Sequence, residues 1–202
     1  MAGLPTLDEI RGSPSQSDSP LATALTVLFE HSPILLFVLE PQLSRALKSG
    51  PVPESYAQLI DASLKEITKW DIPAQSEFIS GHPRIGESKN LSNLSAKEQG
   101  AQGAMVTPPE VLARLAHLNA CYEARYPGLR YITFVNGRSR AAIAEEMEDV
   151  LGLQYSLSPD DPLVSNVSPV DTNSEAWLSE LHRAVQDVGR IARSRLVAIG
   201  VQ

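Results

Sequence analysis

From Leu21 onward the apolar positions fall into a helical rhythm. Leu21, Leu25, Leu28 and Phe29 share one helix face. Ser32-Pro33 is a start signal for a second helix, with serine as N-cap and proline in the first turn. Pro41 is expected to interrupt or bend that helix, because it brings no N–H to the ladder. Leu59, Leu64 and Ile67 predict a helix over about 54–70, and Pro73 opens a short one that ends at Gly81. Ser95 and Glu98 have capping-box spacing, and so do Thr107 and Glu110. After the second box, Val111, Leu112, Leu115, Leu118 and Tyr122 mark an amphipathic helix to about Arg125. Residues 131–135 are a short apolar, β-branched run, expected to be extended and buried. Asn136-Gly137 turns the chain, and Ser139 caps a helix that ends near Gly152. Trp177, Leu181, Val185, Val188, Ile191 and Leu196 line one side of a last helix over about 174–201. Seven or eight helices with at most one extended segment, and no internal repeat, predict an all-α, single-domain helical bundle.

Two stretches lack this rhythm. Residues 1–20 are rich in Ser, Pro and Gly and read as a loosely held N-terminal arm, with Leu4 and Ile10 able to dock. Residues 153–172 are turn-rich and acidic, and predict a long, poorly ordered surface loop within a single helical domain of 21–202. Charge narrows the partners. The 202 residues carry a net charge of −7 without a run of Lys or Arg, which argues against nucleic acid and anionic membrane. The longest strongly apolar run, 34–39, is too short to span a bilayer. A single cysteine, Cys121, excludes an internal disulfide and fits a reducing compartment. With no signal-peptide pattern and no C-terminal Ser-Lys-Leu address, the expected location is the cytoplasm.

Candidate chemistry centres on the loop that holds Gly81, His82, Pro83, Arg84, Ile85 and Gly86. The two glycines allow unusual backbone angles, and Pro83 steers His82 away from helical dihedrals. A phosphate-binding loop needs Lys-Ser/Thr after its second glycine, whereas Gly86 is followed by Glu87-Ser88. His82 on its own is compatible with a polar surface group. His117 and Cys121 have metal-pair spacing but no further ligand cluster, so no metal site is expected. His31 and His182 have no partner pattern. The capping box alone accounts for Glu98. On the last helix, Arg183, Arg190 and Arg193 are expected to be solvated or to complement the helix dipole. Arg195 differs, because it falls four residues after Ile191 and seven after Val188, on the apolar side. A buried arginine requires an anionic partner, either a side chain or a ligand.

The order of these pieces resembles one family. "LFEHSP" at 28–33, His82-Pro83, "LSNLSAKEQGAQG" at 91–103, "LNACY" at 118–122, "YITFV" at 131–135 and "IARSRL" at 191–196 are similar to the 2-oxo-4-hydroxy-4-carboxy-5-ureidoimidazoline (OHCU) decarboxylases of urate degradation. The resemblance implies an all-helical, cofactor-independent lyase, commonly a homodimer, that releases CO2 and forms (S)-allantoin. It implies roles for individual positions as well. His82 matches the catalytic histidine and Pro83 its loop partner. Ser95, Glu98 and Gln99 match substrate-contacting residues. Tyr131, Ile132, Thr133, Phe134 and Val135 match the segment whose backbone lines the ligand, and Arg195 matches the late arginine. The loop at 153–172 is longer than the family's usual connection.

The implied reaction suits these residues. In the substrate, the C4 carboxylate lies next to a C5=N bond that accepts the electron pair left by CO2, so no pyridoxal, thiamine or metal is required. The protein must then orient the carboxylate and move protons, a task open to histidine near neutral pH. Glu98 and Gln99 offer an acceptor and an amide for the ureido group, and Arg195 can grip an anionic oxygen with two hydrogen bonds. Two other classes compete: a non-catalytic helical binding or scaffold protein that retains the fold, and a metal-dependent ureide amidohydrolase, for which the ligand clusters are missing from the sequence.

Overall fold

The computed structural model describes residues 4–87 and 107–201, and these are all-α. Among them eight α-helices follow in order: α1 (Leu7–Gly12), α2 (Pro20–Phe29), α3 (Glu40–Ser49), α4 (Tyr56–Ile67), α5 (Ile72–Ser80), α6 (Pro109–Arg125), α7 (Arg140–Leu151) and α8 (Glu175–Ala198). Most begin where the sequence places a cap. Ser19, Ser55, Asp71 and Ser139 each accept a hydrogen bond from the N–H three residues on, which satisfies one of the donors orphaned at a helix start. The box expected at Thr107 and Glu110 does not form. Pro108 is the N-cap of α6, and the Thr107 hydroxyl instead accepts from Arg140 Nη1 at 3.2 Å. The Ser95/Glu98 box lies outside the described residues.

At Pro41 the helical path changes character. A π-helical turn, Leu35–Leu39, precedes α3, and Glu40 N–H reaches the Leu35 carbonyl five residues back. Pro41 then stands in the first turn of α3, where an N–H is dispensable. The widened turn leaves Phe37 72% exposed while Leu35 and Leu39 stay buried.

The chain forms two compact units: Met1–Gly81 with Val185–Gln202, and His82–Ala184. In the first unit, Leu21, Leu25, Leu28 and Phe29 of α2 are all buried, as their spacing requires. Each such side chain contributes about 1.5–3 kcal/mol relative to exposure. Phe29 and Trp70 both meet Phe78 edge to face. The arm is held more firmly than its composition implies. Residues 7–12 form α1, closed by a Thr6/Glu9 capping box, and Ile10 is buried. Ser15 and Ser19 donate to the buried Glu40 carboxylate at 2.5 and 2.7 Å.

In the second unit α6 packs against α7, burying Leu115, Leu118, Tyr122, Ile143 and Met147. The segment 153–172, expected to be the least ordered, is pinned to α6 along its length. Arg114 donates to the carbonyls of Ser158 (2.9 Å) and Asp161, His117 Nε2 lies 2.8 Å from the Pro162 carbonyl, and Arg125 donates to Ser168 at 2.8 Å. Val170 N–H returns a bond to the Arg125 carbonyl at 2.8 Å. Turn-rich composition reports the lack of regular structure and is silent about anchoring from elsewhere.

Candidate functional site

His82 opens the second unit and is 7% exposed. Three side chains hold the irregular loop behind it. Arg130 Nη1 donates to the His82 carbonyl at 2.5 Å, and Asn119 Nδ2 to the Ile85 carbonyl at 3.0 Å. Arg84 donates through Nε and Nη2 to both oxygens of Glu123, at 2.6 and 2.9 Å. That two-pronged bond, with Glu87 as a second partner, holds the Arg84 guanidinium above its ordinary range. The glycines have different reasons. Gly86 adopts φ +84° with Leu115 against it, so a side chain there meets both strain and contact. Gly81 has ordinary helical angles (φ −70°), contrary to expectation, and a Cβ there would lie 3.2 Å from Ser32 Cβ.

Arg195 belongs to the first unit and is 3% exposed, on the inward side of α8 as its spacing predicts. Its anionic side-chain partner is Glu30, at 2.6 Å, and its Nη1 donates to the Val27 and Leu28 carbonyls at 3.1 and 3.3 Å. Glu30 sits at φ 68°, a region that costs a non-glycine residue about 1–3 kcal/mol, so surrounding contacts must hold it there.

The run 131–135 forms neither helix nor strand, with Tyr131, Ile132 and Thr133 buried and Phe134 and Val135 half-buried. No strand flanks it among the described residues, so side chains bind its polar groups. Arg183 Nη1 donates to the Ile132 carbonyl at 2.8 Å, and Arg138 donates to the carbonyls of Phe134 (2.7 Å) and Val135 (3.0 Å). Glu146 accepts from the Tyr131 hydroxyl and, at 2.7 Å, from Thr133 Oγ1, and pairs with Arg138. Glu180 in turn fixes Arg183 through both oxygens and accepts from the Tyr122 hydroxyl at 2.6 Å. Burial pushes the Tyr131 phenol up to about 12, against the pull of Arg183. Burial also raises Tyr122, reinforced by the Glu180 charge. For Arg183, burial opposes the charge, but the Glu180 contacts outweigh it and hold the guanidinium above its ordinary value.

Sequence reasoning missed this second network. Arg183 is half-buried and held by Glu180 rather than freely solvated, and the legible signal was its spacing of three from Glu180 on one helix. Arg190 does match expectation, with its side chain 63% exposed beside Asp187. Ser95, Glu98 and Gln99 lie outside the described residues, while Pro83 is half-buried beside His82. His117 and Cys121, the metal-spaced pair, lie 3.3 Å apart and both face the Pro162 carbonyl. Among the described residues no group of three or more His, Cys, Asp or Glu is arranged to hold a metal ion, and no helix is long and apolar enough to cross a membrane.

Comparison with known proteins places these features in context. No curated protein sequence matches the chain. Among solved structures, it is similar to the crystal structure of (S)-allantoin synthase, with a TM-score of 0.55 at 18% identity. That likeness covers 96% of this chain and 54% of the other, so this chain spans about half the length of the structure it matches. At such identity the likeness concerns the fold. The OHCU decarboxylase family matches residues 14–155, well over half of the chain. The protein therefore belongs to the OHCU decarboxylase family.

Proposed function

We propose that the protein decarboxylates 2-oxo-4-hydroxy-4-carboxy-5-ureidoimidazoline to (S)-allantoin and CO2, as a step of urate degradation. The family match over residues 14–155 carries this reading. In the proposed reaction the bond from C4 to the carboxylate breaks and its electron pair forms a C4=C5 bond. The former C5=N pair moves to the ring nitrogen, which takes up a proton. The 4-hydroxyl then gives up its proton and becomes the C4 carbonyl, while C5 gains a proton on one face. The substrate carries its own electron sink, so the protein has only to orient groups and transfer protons.

His82 is the proposed proton-transfer group. Its backbone is clamped through Arg130, as preorganised proton transfer demands. Arg195 is assigned to an anionic oxygen of the substrate, and Glu98 with Gln99 to the ureido group. Pro83, Ser95 and the backbone of 131–135 complete the proposed contacts. The working assembly is a homodimer.

The test generates the substrate in situ by oxidising urate and hydrolysing the product, then follows allantoin chirality by circular dichroism with and without the protein. Expected is rapid accumulation of the (S) enantiomer, reduced about 10²–10⁴-fold in His82→Asn. Racemic allantoin formed at the uncatalysed rate would remove the enzymatic reading and favour a binding protein of the same fold. An unimpaired His82→Asn variant would leave the reaction in place and make the loop structural.

A further inference from the structure

The segment 131–135 presents an unusual situation for backbone outside helix and strand. Its carbonyls are bound by charged side chains: Ile132 by Arg183, and Phe134 and Val135 by Arg138. Among the described residues the Thr133 N–H donates to no protein group. These two observations concern one peptide plane. The Ile132 carbonyl and the Thr133 N–H belong to the same rigid amide and point in opposite directions. Whatever holds the carbonyl therefore aims the N–H. A cation on the carbonyl also draws electron density along the amide and makes the N–H a stronger donor.

We propose that Arg183, oriented by Glu180, is a positioning residue for the reaction: its grip on the Ile132 carbonyl aims the Thr133 N–H at an acceptor oxygen of the substrate. The proposal rests on the decarboxylase reading above. Arg183 is well suited to the task. Glu180 binds it at Nε and Nη2, at 2.8 and 2.6 Å, which leaves Nη1 directed at the Ile132 carbonyl at 2.8 Å. The guanidinium also lies 5.3 Å from the centre of the Tyr131 ring, over a face that attracts a cation. Tyr122, protonated throughout the neutral range, donates to the Glu180 oxygen that Arg183 Nη2 also binds, which further fixes the carboxylate. Thr133 is locked separately, since its hydroxyl donates to Glu146 and accepts from Arg138 at 3.0 Å. The peptide is thus held at both ends, and among the described residues Arg183 is the side chain that binds it from the carbonyl side.

The experiment compares the full chain with Arg183→Gln and with Arg183→Gln/Glu180→Gln, the latter removing the carboxylate that the single change leaves unpaired. Three quantities are measured: thermal melting, KM against kcat, and the ¹⁵N–¹H resonance of Thr133. The expected result is a KM raised about tenfold with kcat changed far less, in variants that remain folded, because a ground-state donor has been turned aside. The Thr133 amide should shift upfield in both variants. Folded variants with parent KM and an unmoved Thr133 resonance would overturn the proposal and leave Arg183 as a brace for α8. Failure of both variants to fold would also assign Arg183 to the fold and count against it. If the parent protein forms no (S)-allantoin, the decarboxylase reading fails, whereas the Thr133 resonance still reports whether Arg183 orients that peptide.

Discussion

Arg195 and Arg114 are buried in nearly the same manner, in different units. Arg195 is 3% exposed and, among the described residues, binds the carboxylate of Glu30 at 2.6 Å together with the carbonyls of Val27 and Leu28. Arg114 is 1% exposed and binds one carboxylate, Glu148, at 2.6 Å together with the carbonyls of Ser158 and Asp161. Their carbonyls differ in origin. Val27 and Leu28 belong to the last turn of α2, where carbonyls have lost their helical partners. Ser158 and Asp161 belong to an irregular segment that has none to begin with. The guanidinium serves both because its planar fork satisfies several acceptors without losing charge. A buried, carboxylate-paired arginine is thus no mark of an active site by itself. Among the described residues the bonds of Arg195 and Arg114 are alike in kind, and the family resemblance singles out Arg195.

The comparison is broken or upheld most directly by removing each pair. Arg195→Leu/Glu30→Leu takes away both charges and should stay folded, yet lose about 10²–10³ in turnover if Arg195 holds a substrate oxygen. Unchanged turnover would make Arg195 a second Arg114. The corresponding change in the second unit acts on stability instead. Arg114→Leu strands Glu148, whose side chain is 2% exposed, and should cost about 3–5 kcal/mol in chemical denaturation. Adding Glu148→Leu should recover much of that loss, and turnover per folded molecule should match the parent.

The pH response sharpens the contrast with a third arginine, Arg183, whose cluster includes phenols. The Tyr131 phenol is raised from its ordinary value near 10 to about 12, and Tyr122 is raised as well. An acid whose folded pKa is raised favours the protonated form in the native state. Its contribution is therefore complete below about pH 10 and declines as the pH climbs through the folded value. Melting temperature should fall between about pH 10 and 12, and Tyr131→Phe should flatten that decline. A flat parent profile over this range would contradict the assigned burial.

The smallest expected effects concern the caps of the helices that carry the Arg114 clamp. Ser139 caps α7, which bears Glu148, so Ser139→Ala should cost about 1 kcal/mol. Thr107 does not cap α6, and Thr107→Ala should stay within about 0.5 kcal/mol. Equal costs would mean that Thr107 caps α6 in solution.

How much was legible follows the range of the interaction. Ser139 and Pro73 announced their helices because capping and proline geometry act within one turn. The inward face of α8 followed from Trp177, Leu181, Val185 and Val188, whose burial the 3.6-residue period dictates. The same period placed Arg195 inside. Applied to α6 it would have placed Arg114 inside too, three residues after Val111 and four before Leu118. The resemblance, carried by the order of motifs, supplied the family. His82, Glu98 and Arg195 as a group came from it alone, and Glu98 lies outside the described residues.

The sequence by itself determined most helices from Leu21 onward, their buried faces and the family, since local capping, periodicity and motif order are all written along the chain. Tertiary structure alone decided which acceptors the arginines would meet. The Ile132 carbonyl and Arg183 are fifty-one residues apart, and Arg114 and the Asp161 carbonyl forty-seven. A main-chain carbonyl is the same in every residue, so no letter of the sequence reveals which one lacks a partner. Only the folded backbone leaves a particular carbonyl unsatisfied, and only packing brings a guanidinium to it.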